Sequence, residues 1–383
     1  MRHDELESAL AGLAARAQLR RRVALSGPQG REIVIDGKTY LSFASNDYLG
    51  LANHPLLVEA ASEGVRRWGV GSGASPLVTG HFTVQDEAEA ALASFVGCSA
   101  ALLFGSGYAA NLAVLGSLLG RGDAVFADRL NHASLNDGCL LSRAQFCRFR
   151  HNDLNHLEHL LQTTHARTRL IAVDAVYSMD GDEAPLAELL ALAHRYDAWL
   201  YLDDAHGFGI LGEGRGSLAE QALSDERVVY MATLGKAAGV SGAFVAGSQA
   251  LVDWLVNAGR TYLFSTGHPP MLACAILASL GLIQNETWRR DRLQQHIARL
   301  KIAVHANVIE LKASRTPIQP LIIGDNDKSL ALAGRLRDRG IWVPAIRPPT
   351  VPAGSARLRV CLSAAHTFDD VTRLLSGIGA LSD

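Results

Sequence analysis

Cysteine is scarce and unpatterned in this chain of 383 residues. The five, Cys98, Cys139, Cys147, Cys274 and Cys361, form no CxxC pair, and an odd number cannot all pair within one chain. A disulfide scaffold is therefore not expected, and a reduced, cytoplasmic setting is. Long apolar runs are missing as well: no stretch of about 18 apolar residues occurs, and the N-terminus sets Asp4, Glu5 and Glu7 where a secretory signal would be apolar. No membrane association is expected. Charge of either sign is not in excess, the formal net charge being −2, so no basic field exists to hold nucleic acid. No established metal-ligand spacing appears, and no metal is expected.

What is present is the composition of a folded globular protein, 48% hydrophobic and 19% charged. A chain of this length has room for two domains. Leu6, Leu10, Leu13, Ala14 and Ala17 lie at helical spacing and predict an arm helix over 5–22, ending at the basic run Arg20, Arg21, Arg22. From about residue 55, helical patterns alternate with short apolar runs at 101–104, 124–127, 170–173, 199–202, 228–231 and 243–246. Such alternation predicts an α/β fold, parallel strands covered by helices on both faces. Residues 270–312 read as long helix, with Leu272, Ile276, Leu280, Ile283, Leu293, Ile297, Leu300, Val304 and Ile309 at helical intervals. Strand-like pieces at 318–323, 341–345 and 357–361, between helices near 328–339 and 367–380, predict a smaller α+β domain, with 347–352 as a rigid Pro-rich loop inside it. The expected division is an arm to residue 40, a large domain over 41–285 and a small one over 286–383.

Chemistry concentrates after the apolar runs. Lys236 stands in Thr233-Leu234-Gly235-Lys236-Ala237-Ala238-Gly239, small neighbours that let a planar group approach its amine. A lysine near its ordinary pKa of about 10.4 is a poor nucleophile unless its charge is disfavoured or replaced by an imine. Taken alone, such a lysine is more often a solvated turn residue. Asp203, Asp204 and His206 leave the end of the 199–202 run, where ligands of open α/β sheets bind. Asp203 is the choice for a carboxylate that keeps a pyridine nitrogen protonated, with Asp204 read as a helix N-cap. Gly105-Ser106-Gly107-Tyr108 joins a strand to a helix whose N-terminal amides suit a phosphate. Ala110 replaces the third glycine of GxGxxG and no GK[ST] follows, which disfavours nicotinamide and P-loop nucleotide readings. His132 begins another helix, either against a cofactor ring or as a cap. His151, His156 and His159 read as a solvated helix face with no role.

Together these stretches, with SNDYLGL at 45–51, DRLNHASL at 128–135, YSMDGD at 177–182, FSTGHPP at 264–270 and AIRPPTVPAGSARLR at 345–359, resemble the α-oxoamine synthases over nearly the whole chain. The resemblance implies the aspartate-aminotransferase fold (fold type I), with a mostly parallel seven-stranded sheet, and pyridoxal phosphate carried as a Schiff base on Lys236. It implies Asp203 at the pyridine nitrogen and His132 on the ring. His206 and Ser178 would lie near the phenolic oxygen, Gly107, Tyr108 and Thr233 around the cofactor, and Ser265 and Thr266 would reach a phosphate from the neighbouring subunit of a homodimer. Arg20, Asn46, His132, Arg347 and Thr350 would face substrate, Arg347 on an amino-acid carboxylate. The tail motifs favour the biotin-forming branch, which condenses L-alanine with a pimeloyl thioester; sister branches use glycine or serine with another acyl-CoA, and some relatives are non-catalytic dimer partners. Asp174 and Ala175 stand where relatives often carry Glu and Gly, and Ala74 interrupts a common Gly-Gly pair.

Overall fold

The computed structural model describes residues 2–305, 312 and 314–379. They divide into two compact units, one drawn from residues up to 50, 179–181 and from 289 on, the other from 51–178 and 182–288. The sequence division at 40 and 285 is thus replaced at its first boundary: the arm and the residues that follow it belong with the C-terminal part, for a reason that lies in strand pairing.

In the first unit the opening helix α1 (His3–Ala15) is shorter than expected. It stops before Ala17, whose φ of 51° is left-handed, so the 20–22 arginines lie outside it. Strands β1 (Glu32–Ile35) and β2 (Lys38–Ser42) form a hairpin turning at Asp36 and Gly37, both at positive φ. An Asp-Gly pair favours that tight turn.

The second unit follows in chain order with α2 (Pro55–Trp68), α3 (Thr83–Val96), β3 (Ala100–Phe104), α4 (Gly107–Leu118), β4 (Ala124–Asp128), α5 (Ala133–Leu141), β5 (Gln145–Phe149), α6 (Leu154–Thr163), β6 (Arg169–Asp174), α7 (Leu186–Arg195), β7 (Ala198–Asp203), the short α8 (Ser217–Glu220), β8 (Val228–Thr233), β9 (Ala243–Gly247), α9 (Gln249–Ala258), α10 (Arg260–Leu263) and α11 (Pro270–Asn285). The seven strands make one sheet in the order β3-β9-β8-β7-β6-β4-β5. All neighbours run parallel except β9, antiparallel to both β3 and β8. β3, β4 and β9 are buried along their whole length, as strands covered on both faces must be. The strand β5 escaped the sequence reading because it lies at the sheet edge, with alternating exposure that breaks any apolar run.

The expected long helix is two, α11 and α12 (Trp288–His305), interrupted at Glu286, where ψ is 60°. Ile309 lies outside the described residues. The first unit is completed by β10 (Ile318–Gly324), α13 (Asn326–Asp338), β11 (Ile341–Trp342), β12 (Ala345–Ile346), β13 (Ala356–Cys361) and α14 (Phe368–Gly379). β11 pairs in parallel with β2, so the N-terminal hairpin and the C-terminal residues share a sheet. β13 lies between β10 and β12 in a second sheet.

Candidate active site

The parallel order of β4, β6, β7 and β8 brings their last residues, Asp128, Asp174, Asp203 and Thr233, to one edge of the sheet. Beyond that edge lies a cavity of about 170 Å³ that Gly107, Tyr108, His132, Ser178, Asp203, His206, Thr233 and Lys236 line, together with Asn111, Ser134 and Asp174. Eight residues chosen from the sequence therefore meet in one place. The last three were not chosen.

Lys236 Nζ lies 2.8 Å from His206 Nε2. Its turn is tied by Leu234 N donating to Gly242 O (2.9 Å), Val240 N to Leu234 O (2.9 Å) and Gly239 N to Lys236 O (2.9 Å), with the Thr233 hydroxyl donating to Gly242 O at 3.0 Å. Asp203 is 5% exposed. Its carboxylate accepts from Asn111 Nδ2 at 2.8 Å and from Ala205 N at 3.1 Å. Asn111, one turn into α4 from Gly107, also donates to Ser134 Oγ (2.7 Å) and accepts from the Tyr201 hydroxyl (2.5 Å). Ser134 Oγ in turn lies 2.7 Å from His132 Nδ1. A polar chain thus runs from Asp203 to His132 and fixes both. The signal for Asn111 in the sequence was its place on the Gly107 face of α4; that for Ser134 was its adjacency to a capping histidine.

His132 is the N-cap of α5, and it also lines the cavity. Burial pushes its imidazole below the ordinary value, Asp203 pulls the other way and Lys236 adds to the lowering, which favours a neutral ring. Asp204 does not immediately precede a helix as an N-cap would, Gly216 holding that place for α8, but its carboxylate reaches the first amide of α8. It is wholly buried, accepting from Ser217 N (2.7 Å), Ser217 Oγ (2.6 Å) and the Tyr230 hydroxyl (2.8 Å). Burial raises its pKa to about 6, against those hydrogen bonds. His151 is likewise not on a helix face: it sits between Asp128 and Asp182, Nδ1 3.1 Å from the first and Nε2 2.6 Å from the second.

Ser265 and Thr266 lie on an exposed loop after α10 and do not line the cavity. Arg20, Asn46, Arg347 and Thr350 all belong to the other unit. There Arg20 Nη2 donates to Thr350 Oγ1 at 2.7 Å, Arg347 donates to Ala17 O, and Asn46 Oδ1 accepts from Arg359 Nη1 and from the Tyr48 hydroxyl, each at 3.1 Å.

The donor set of the cavity fits pyridoxal phosphate. Lys236 offers the amine for the aldehyde, Asp203 a buried carboxylate for the ring nitrogen, His132 a ring to stack, and the start of α4 the amides of Gly107 and Tyr108 for the phosphate. Gly107 leaves that helix end open, since an added Cβ would meet only Met231 and Thr233 side chains, at 3.7 Å and beyond.

Fold and cavity together define a fold type I pyridoxal-phosphate transferase. The chain belongs to the aminotransferase class I and II family, which it matches over residues 38–378, and within it to the α-oxoamine synthases. It is 62% identical over 375 residues to the 8-amino-7-oxononanoate synthase of Chromobacterium violaceum, with 98% of each chain covered. It is 57% identical over 374 residues to that of Nitrosomonas europaea, with 97% of each covered. Among solved structures it resembles a serine palmitoyltransferase variant from S. paucimobilis with a bound PLP–myriocin aldimine, at a TM-score of 0.93, 29% identity, 99% of this chain and 96% of that one. It also resembles the 8-amino-7-oxononanoate synthase of Francisella tularensis, at a TM-score of 0.78, 30% identity, 89% of this chain and 97% of that one.

Proposed function

We propose that this chain catalyses the pyridoxal-phosphate-dependent condensation of L-alanine with a pimeloyl thioester, forming 8-amino-7-oxononanoate with release of carbon dioxide and the thiol, a step of biotin biosynthesis. The observation that carries this reading is the convergence of Lys236, His206, Asp203 and His132 on one cavity in a chain 62% identical to such a synthase over its length. Bound at this site, pyridoxal phosphate supplies an electron sink for the charge left at the substrate α-carbon.

The side chains divide the remaining tasks. Lys236 would hold the cofactor through its Nζ, and the same nitrogen, when free, would take the substrate α-proton. His206, 2.8 Å away, accepts a hydrogen bond from that amine and orients it. Asp203, held by Asn111 and Ala205, would keep the proton on the ring nitrogen. His132 would stack on the ring as a neutral imidazole and so would not compete for that carboxylate. Gly107, Tyr108, Thr233 and Ser178 line the remaining walls. Ser265 and Thr266 act across the interface of a homodimer with shared active sites, and Arg20, Asn46, Arg347 and Thr350 receive substrate, Arg347 by its carboxylate. Among the described residues no helix is long and apolar enough to cross a membrane, consistent with action in the cytoplasm.

The likeness to serine palmitoyltransferase favours a serine-using sister activity as the second reading, at 29% identity against 62%. Titration of the purified protein with pyridoxal phosphate, then with L-alanine, glycine or L-serine, and assay of carbon dioxide release with pimeloyl-CoA, decides between them. A visible imine band that alanine alters, followed by turnover, is expected. Lys236→Ala should lose the band and at least about 10³-fold in rate; a variant of full activity would sink the mechanism, and a protein that responds only to serine would move it to the sister class.

A further inference from the structure

The last residues of β6 and β7, Asp174 and Asp203, are paired in register on adjacent parallel strands, whose backbones run about 4.8 Å apart. Both are nearly inaccessible, at 4% and 5% exposure, and both line the cavity. Two carboxylates so placed resist being charged together, and the one with more hydrogen-bond donors keeps the charge. The donors are unequally shared. Asp203 has one on each oxygen, Asn111 Nδ2 on Oδ2 and Ala205 N on Oδ1. Asp174 has only the His132 amide, 3.0 Å from Oδ2, and its Oδ1 is buried with no hydrogen-bond partner among the described residues.

A buried carboxylate oxygen without a donor is costly, whereas a protonated one needs only an acceptor. Because Oδ2 accepts from the His132 amide, it is the carbonyl oxygen of such an acid, and the proton belongs on Oδ1. We propose that Asp174 stands in the cavity as an uncharged carboxylic acid, Asp203 carrying the charge of the pair, and that its Oδ1–H donates a hydrogen bond to an oxygen of the bound molecule. Burial and then the charge of Asp203 hold Asp174 well above the ordinary carboxylate range, Asp128 adds to this, and Lys236 and the His132 amide act against it. Asp174 is thereby a ligand-contacting residue that the sequence singled out only as a departure from its relatives. The identity of its acceptor, an oxygen of pyridoxal phosphate, rests on the functional reading above; the state of its proton does not.

The infrared difference spectrum between cofactor-free wild type and Asp174→Asn at neutral pH tests the proton. A protonated-carboxyl stretch present in wild type and lost in D174N is expected; no such difference overturns the inference. Equilibrium titration with pyridoxal phosphate, followed by the imine band, tests the donor. Asn keeps an N–H donor in nearly the same volume, so D174N should bind within about threefold of wild type, while Asp174→Ala, shown folded by its thermal transition, should bind about tenfold more weakly, equivalent to 1.4 kcal/mol. Equal affinity of D174A and wild type would overturn the donor role. Failure of wild type to take up pyridoxal phosphate at all would instead overturn the proposed function and the acceptor with it, a result the infrared measurement cannot mimic.

Discussion

His151 shows how a residue that looked like surface becomes a fixed ion. Its ring bridges the buried Asp128 and the half-buried Asp182 and meets the Tyr177 ring edge-on at 4.4 Å between centroids. Burial alone would lower its pKa, but hydrogen bonds and charge from the two aspartates prevail and raise it to about 9. Asp128 also accepts from Leu130 N (2.8 Å) and Asn152 N (2.8 Å), and Leu130 is two residues before His132. The charged ring therefore braces the segment that carries His132. A histidine whose folded pKa exceeds its ordinary 6.5 contributes stability that is fully present below about pH 6.5 and lost as pH rises through about 9. His151→Gln should cost about 2 kcal/mol at pH 6, the scale of a charge-assisted hydrogen bond, and nearly nothing at pH 9.5. Urea midpoints of the two proteins across that interval check it; a gap independent of pH would assign the loss to packing instead of charge.

The element that carries Lys236 depends on a conformation only glycine adopts easily. Gly239 has φ +67°, and a Cβ there would lie 2.6 Å from both the Leu51 carbonyl carbon and the Ala52 nitrogen, backbone atoms that cannot turn aside. Left-handed strain and overpacking add, so Gly239→Ala should destabilise by roughly 2–4 kcal/mol and displace Lys236 from His206. Calorimetry together with the imine absorbance checks this, the expected signature being a weaker band as well as a lower melting temperature. This dependence was legible in part: the small residues around Lys236 were read as room for a planar group, while the close approach of Leu51, distant in sequence, was not. The same division holds elsewhere. Six of the seven strands of the large sheet announced themselves as buried apolar runs, but β5 alternates at an edge, and the reversal of β9 leaves no trace in composition because its burial matches its parallel neighbours. Lys236, Asp203 and His132 stand at strand or helix ends, where pattern reading works. Asn111, Ser134 and Asp174 gain their roles only through neighbours that the fold supplies.

At the scale of the whole molecule, the chain ends are tied through a neutral histidine. His366 is buried; its Nδ1 accepts from Ser363 N at 3.0 Å and its Nε2 donates to Ser42 O at 2.8 Å, which together require the uncharged ring with its proton on Nε2. Its ring lies 4.2 Å from that of the inaccessible Phe43, whose backbone bonds both to Trp342 and to Cys361. The strand-carrying N-terminal residues are thus integral to the C-terminal unit, whereas α1, with Leu6 and Leu10 46% and 52% exposed, contributes little burial to it. Burial first of all lowers His366 to about 4. Its unfolded counterpart titrates near 6.5, so the stability linked to the neutral ring is complete above that pH and declines as pH falls through about 4. His366→Gln, which supplies an N–H donor without a titrating ring, should be less stable than wild type at pH 7.5 by about 1–2 kcal/mol yet lose less on acidification. Thermal midpoints of both proteins between pH 7.5 and 4.5 would then converge; parallel curves would show that the acid sensitivity of this unit has another origin.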